Sequence, residues 1–344
     1  MPLRRLEEAW TALHQYRARK YNWQRAAEDW RRSLQDLEGG FLTFNYGVAS
    51  FVNPSVKDFL DTTLTSDTEH LDDLLSTTCF FDQIVSIWSL AESEKGSQIQ
   101  KRFQQSPEQL MTAANQNLQK PHQQRIEVGE GVYETAQLDS RPELRLETMV
   151  SIADQTKSET ALDSIVGYTQ SVITFWSDSV PDFEAATNIL RAFDRAKWQR
   201  VTDLKLHELL KGAILTKLGE RQRSGEIFAL VDYADSNDAR WTDKDQQDLV
   251  RSFENYLEDE FDEEIADRDS NPGDLQSFSD TLESVANWCQ IDVDVYLDQI
   301  SERINELTSP EEEDDRPVRR WEESSQPMSQ IAQEQEVMRL FDGL

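Results

Sequence analysis

The stretch FLTFNYGVASFVNPSVKDFL, Phe41 to Leu60, decides how this chain folds. β-favouring residues lie on both sides of Asn45-Tyr46-Gly47, and that composition predicts a hairpin with strands over 41–44 and 48–52. Asn53-Pro54-Ser55 follows at once. Asn is a strong N-cap and Pro suits a first helical turn, so a helix should start here with Val56, Phe59, Leu60 and Leu64 beneath it.

Upstream, Leu6, Trp10, Leu13 and Tyr16/Arg17 recur at helical spacing over 3–20, and Ala27, Trp30, Leu34 and Leu37 do so over 26–37. Gly39-Gly40 closes the second helix. Helix, helix, hairpin, helix is the order of a winged-helix module, with the hairpin as its wing. Residues 71–90 predict one very apolar helix, which ends a module over 1–95.

Downstream, 96–141 is Gln-rich and polar. It predicts a linker holding one or two weak helices and a second short hairpin at RIEVGEGVYET, 125–135. Apolar stripes then recur over 144–153, 160–176, 182–196, 204–218 and 226–233. A long stripe from Thr242 to Ile265 follows, then further ones over 275–288 and 293–307. Their spacing shows no strict period, so 142–307 predicts an irregular array of antiparallel helix pairs. The steps of four and three from Val293 to Leu307 allow a short coiled-coil seam or packing on the preceding helices. From 308 to 344, charge blocks, Pro and Ser predict a disordered acidic tail, ending in the apolar peptide IAQEQEVMRLFDGL. The fold class is therefore mainly α, with a winged-helix module ahead of a helical array.

The formal charge is −31, with 66 acidic residues against 35 basic ones. Such a surface repels nucleic acid and anionic membranes. Arg outnumbers Lys, 24 to 11. That balance suits either a halophilic protein in strongly screening salt or an ordinary acidic one. No apolar run approaches the ~20 residues of a membrane span, and no signal-peptide core opens the chain, so a cytoplasmic location is expected. Cys79 and Cys289 each lie in apolar surroundings and read as small buried hydrophobes.

No His-Glu-x-x-His, P-loop, Gly-x-Ser-x-Gly or EF-hand order occurs. The acidic run 258–269 lacks the EF-hand glycine and reads as a solvated helix face. The chain is accordingly expected to be non-enzymatic, without cofactor or metal. The first 32 residues differ from the rest, with a local balance of +4 and five interleaved aromatic residues. Arg17, Arg19, Lys20, Arg25, Arg31 and Arg32 could pair with acidic groups of the same chain. They could also face a partner domain or a nucleotide's phosphates, or grip DNA.

The segments EEAWTALHQYRARKYNW, AEDWRRSLQDLEGGFLTF, ASFVNPSVKDFLDTTL and TTCFFDQIVSIWSL resemble the region that follows the ATPase core of bacterial and archaeal novel-STAND NTPases. Phe51, Asn53, Pro54, Ser55, Asp58, Phe59 and Leu60 stand in the places of that family's Phe-x-Asn-Pro-Ser-x-x-Asp-Phe-Leu signature. The likeness covers Leu6 to Leu90 and continues only in character beyond. It implies a regulatory and sensor role in a switch ATPase, many of which serve in antiviral defence. It also implies a winged helix that packs on a nucleotide-binding domain. The chain carries no Walker motifs and begins where that core would have ended, so it is expected to be a fragment, a split gene whose motor is a separate partner chain, or a solitary sensor relic. The tail residues Gln335, Met338, Leu340 and Phe341 resemble the peptides that dock on sliding clamps, as in a DNA-repair accessory. A terminal helix folding back on its own chain is the other reading.

Overall fold

A computed structural model describes residues 1–309, apart from 67, 94–96, 130–131, 219–222, 237–240 and 269. The tail peptide with Gln335, Met338, Leu340 and Phe341 therefore lies outside the described residues. The fold is mainly α, with two small antiparallel hairpins.

The N-terminal module has the expected order. Helix α1 spans Leu3–Lys20 and α2 spans Asp29–Leu37. Strands β1 (Leu42–Asn45) and β2 (Val48–Phe51) form the hairpin, and α3 (Pro54–Ser66) follows. Asn45 pairs with Val48, so Tyr46 and Gly47 alone make the turn, both at positive φ. That is the mirror-image turn whose twist matches a hairpin, and it needs a glycine at the second position. The chain start lies along the free edge of β2: the Ala49 amide donates to the Met1 carbonyl, and Leu3 donates to Gly47, each at 2.8 Å. Helix α2 starts three residues later than its apolar pattern suggests. The Asp29 carboxylate accepts from the Ala26 amide at 2.8 Å and from His14 at 2.9 Å, which holds 26–28 as a turn.

The single helix expected over 71–90 is two helices, α4 (Thr68–Leu75) and α5 (Phe81–Glu92). Tertiary acceptors make the break possible. Asp139 accepts from the amides of Phe81 at 2.7 Å and Asp82 at 2.9 Å, and Gln83 accepts from those of Cys79 and Phe80. A helix start leaves four such donors without a partner in the helix, and here a distant carboxylate satisfies two of them.

The Gln-rich segment holds the two helices and the hairpin expected of it, but its helices belong to the core. It forms α6 (Ser97–Gln105), α7 (Glu108–Leu118) and the hairpin β3 (Gln123–Gly129) with β4 (Val132–Gln137). Ile99, Phe103, Leu110, Met111, Ala114 and Leu118 are buried in the main core. Polar glutamines line the outer faces of both helices, which masks their apolar sides in a composition count.

The array continues with α8 (Pro142–Thr156), α9 (Glu159–Asp178), α10 (Phe183–Arg195), the short α11 (Gln199–Asp203) and α12 (Leu206–Thr216). Then come α13 (Ser224–Ser236), α14 (Asp243–Asp259), α15 (Phe261–Asp267), α16 (Pro272–Cys289) and α17 (Asp294–Thr308). The stripe from Thr242 to Ile265 is thus divided at Glu260. Helices α8, α10, α13 and α16 pack side by side in one layer, while α9, α12 and α14 form a second. The earlier helices α5 and α7 extend these layers by packing on α8 and α9. The stack therefore starts before Pro142, and its core runs without interruption from Leu71 to Ile300. At its far end α17 packs on α16 through Ile300, Leu297 and Ile304, which favours packing over a free coiled-coil seam.

Buried and half-buried carboxylates tie successive layers together. Glu264 accepts from the Ser224 amide and hydroxyl, the Tyr256 hydroxyl and Arg268, joining α13, α14 and α15. Asp154 of α8 accepts from the Lys197 amide just ahead of α11. Tyr233 donates to Asp194 and lies 2.6 Å from His207 Nε2, linking α10, α12 and α13.

Candidate interaction site on the N-terminal module

The basic residues of α1 do not act as one outward face. Arg17 Nε donates to Asp73 Oδ2 at 2.8 Å, and Lys20 Nζ donates to Asp73 Oδ1 at 2.8 Å. Lys20 also reaches Glu69 at 2.9 Å, and the Tyr21 hydroxyl donates to the same carboxylate. Burial alone would raise the Asp73 carboxyl, but the Lys20 and Arg17 hydrogen bonds outweigh it and leave its pKa lowered. Hydrogen bonding to Asp73, then to Glu69, raises the Lys20 ammonium in turn. For Arg17 and Lys20, pairing within the chain is therefore the reading that the geometry supports. Arg19 turns back to the Gln15 carbonyl of its own helix. Arg25, Arg31 and Arg32 are exposed around α2. The structure divides these six residues between an α1–α4 clamp and a solvent-facing group.

The interleaved aromatic residues also have inward roles. Trp10 stacks on His14 at 4.4 Å and meets Trp30 at 5.3 Å, which fixes α2 against α1. Tyr21 and Trp23 stack on each other at the surface.

The signature residues separate in the same way. Asn53 Oδ1 accepts from the Val56 amide at 3.3 Å, and Pro54 opens α3, so these two shape the helix start. Ser55 and Asp58 are exposed. Phe59 is 60% exposed, and α3 has no buried residue along its thirteen positions. Of the four apolar residues expected beneath α3, Leu64 packs on the core, while Phe59 and Leu60 stay in solvent and offer a surface to another element. The hairpin before it exposes apolar side chains as well. Phe41, Val48, Phe51 and Val52 are exposed, and Tyr46 stands fully in solvent at the turn. Ten of the seventeen large exposed apolar side chains among the described residues lie within the first 60, so the surface is concentrated there.

A groove of about 810 Å³ lies between α1 and the loop before α5. Its charges are mutually engaged: Arg5 pairs with Asp82 at 2.6 Å, and Lys120 donates to the Cys79 carbonyl at 2.8 Å. Burial raises the Cys79 thiol, which disfavours the thiolate a nucleophile needs. Among the described residues, no group of three or more His, Cys, Asp or Glu could hold a metal ion. No described helix is long and apolar enough to cross a membrane.

Residues that the sequence did not single out carry the architecture beneath this site. Asp73 and Asp139 are buried carboxylates, and Arg145 is a buried cation in α8. The one local signal was the position of Asp139 between a hairpin and a proline-led helix. Compared with family models, curated proteins and solved structures, the chain matches none of them.

Proposed function

We propose that this chain is a non-catalytic regulatory and sensor module of STAND type that works through protein–protein contacts. The hairpin and α3 dock on a nucleotide-binding ATPase domain carried by a partner, and the two-layer stack presents an extended surface to the trigger. The observation that carries this reading is α3, a helix with Phe59 and Leu60 in solvent and no buried residue. Apolar side chains left in solvent at this density favour a partner surface. Stacked helix pairs are suited to extended recognition, because each added pair lengthens the surface without changing the core. A winged-helix grip on DNA draws less support, since Arg17 and Lys20 direct their charge to Asp73 and Glu69.

The test is affinity capture from the native host with the tagged full chain, beside its Phe59→Asp/Leu60→Asp variant. The wild type should retain a P-loop ATPase that the variant loses. Recovery of no nucleotide-binding protein by the wild type would overturn the proposal.

A further inference from the structure

We propose that residues 1–63 form a movable body, held on the helical stack by an electrostatic latch and able to undock from it while both parts stay folded. The inference does not depend on the partner of the preceding section.

The two parts have separate apolar interiors. Among the described residues, the main core begins at Leu71, and Leu64 is the first side chain packed against it. Ala18, Leu34 and Ala49 are buried within the module but take no part in that core. The module coheres through contacts of its own. Trp10 packs on His14 and Trp30, His14 pairs with Asp29, and the Met1 ammonium donates to the Ala49 carbonyl at 2.8 Å. Helix α3 packs on β2 and on α4, and so carries the chain from one part to the other.

Charged pairs cross the seam. Arg5 meets Asp82 at 2.6 Å and Asp139 at 3.8 Å. Arg17 and Lys20 share Asp73, and Lys20 also pairs with Glu69. Every cation here belongs to α1 and every carboxylate to the stack.

Such a seam opens more easily than a packed core. Pairs that keep part of their exposure are held weakly, and salt screens them. Asp73 is fully buried and burial works against its charge, so water that reaches it on opening offsets part of the lost pairing. Arg5 Nε is buried without an acceptor in the closed form, a cost that opening removes. Proteins open part by part where such differences in local stability exist. Opening uncovers Phe80, over which the Arg5 guanidinium lies at 4.5 Å. It also presents two faces of opposite charge, basic on α1 and acidic on α4 and α5.

Two native thiols read the motion. Cys79 lies in the seam, with Sγ 3.8 Å from the Glu8 carbonyl of α1, whereas Cys289 is buried in the main core. The test is N-ethylmaleimide labelling of the full chain at pH 8, with each thiol followed by peptide mass spectrometry. Wild type is compared with Arg17→Gln/Lys20→Gln and with Arg17→Gln/Lys20→Gln/Asp73→Asn, which leaves no unpaired charge at the latch. Arg17 lies about 13 Å along α1 from Glu8, so a response at Cys79 reports movement of the whole helix. The charges that bear on the Cys79 thiol are those of Lys120 and Glu8, which both variants keep. Cys79 should label about tenfold faster in both variants, the factor expected for loss of a charge-assisted hydrogen bond. Cys289 should keep its wild-type rate. Should the double variant not fold, the triple variant carries the same reading. An unchanged Cys79 rate in the triple variant would overturn the proposal. So would equal acceleration of both thiols, because module and stack would then open as one unit.

Discussion

Asp139 and Arg145 lie 3.2 Å apart at 2% and 1% side-chain exposure, and together they close the ends of two helices that neither belongs to. Asp139 accepts the first amides of α5. Arg145 donates to the carbonyls of Leu118 at 2.9 Å and Lys120 at 2.6 Å, which covers the C-terminus of α7. Each charge sits at the helix end whose dipole it complements.

Removing Asp139 alone should cost more than removing Asp139 and Arg145 together. Asp139→Ala leaves the Arg145 guanidinium buried and the α5 amides without their acceptor, an expected loss of about 3–5 kcal/mol. Adding Arg145→Met should recover part of it, because the isolated buried charge is gone. Urea unfolding of the two single variants and the double variant measures the coupling. Strict additivity would show that the pair does not act as a unit.

Asp73 predicts an acid-sensitive α1–α4 clamp. Its folded pKa is depressed, so its contribution is complete above the unfolded carboxylate range, near pH 4. That contribution fades as pH falls through the folded value. Asp73→Asn should therefore lower the melting temperature at pH 7 and differ progressively less from wild type as the pH drops below about 4. A difference that persists unchanged at pH 2 would contradict this assignment.

The two thiols should react slowly and unequally. Burial pushes the Cys289 thiol up to about 12 and raises the half-buried Cys79 thiol as well. At pH 8, a disulfide reagent such as DTNB should modify Cys79 first and Cys289 only after denaturant is added. Labelling of both at the rate of a free cysteine would show that this region opens readily.

Salt separates the two readings of the acidic composition. With a net charge of −31, self-repulsion weakens as the screening length falls from about 10 Å at 0.1 M to about 3 Å at 1 M. A halophilic chain should gain melting temperature across that range by several degrees. A flat or falling response would favour an ordinary acidic protein, in which screening of clamps such as Arg5–Asp82 offsets the relief of repulsion.

The local features were legible in the sequence because backbone sterics and residue periodicity are short-range. Leu3–Lys20 reads as helix from its apolar spacing alone, and the bounds agree. Asn45-Tyr46-Gly47 marked the turn because Gly47 takes a positive φ at little cost, although Asn45 itself ends β1, and Pro54 with Asn53 fixed where α3 begins. Tertiary structure alone decided which charges face solvent and where long apolar stripes break. Helix α5 begins at Phe81 because a carboxylate 58 residues away accepts its amide. Arg17 and Lys20 turn inward because Asp73 of α4 lies beside them, and the Gln-rich α6 and α7 become core because α8 and α9 cover their apolar sides. Such choices depend on desolvation and on partners brought close only by folding, and no window of neighbouring residues contains either.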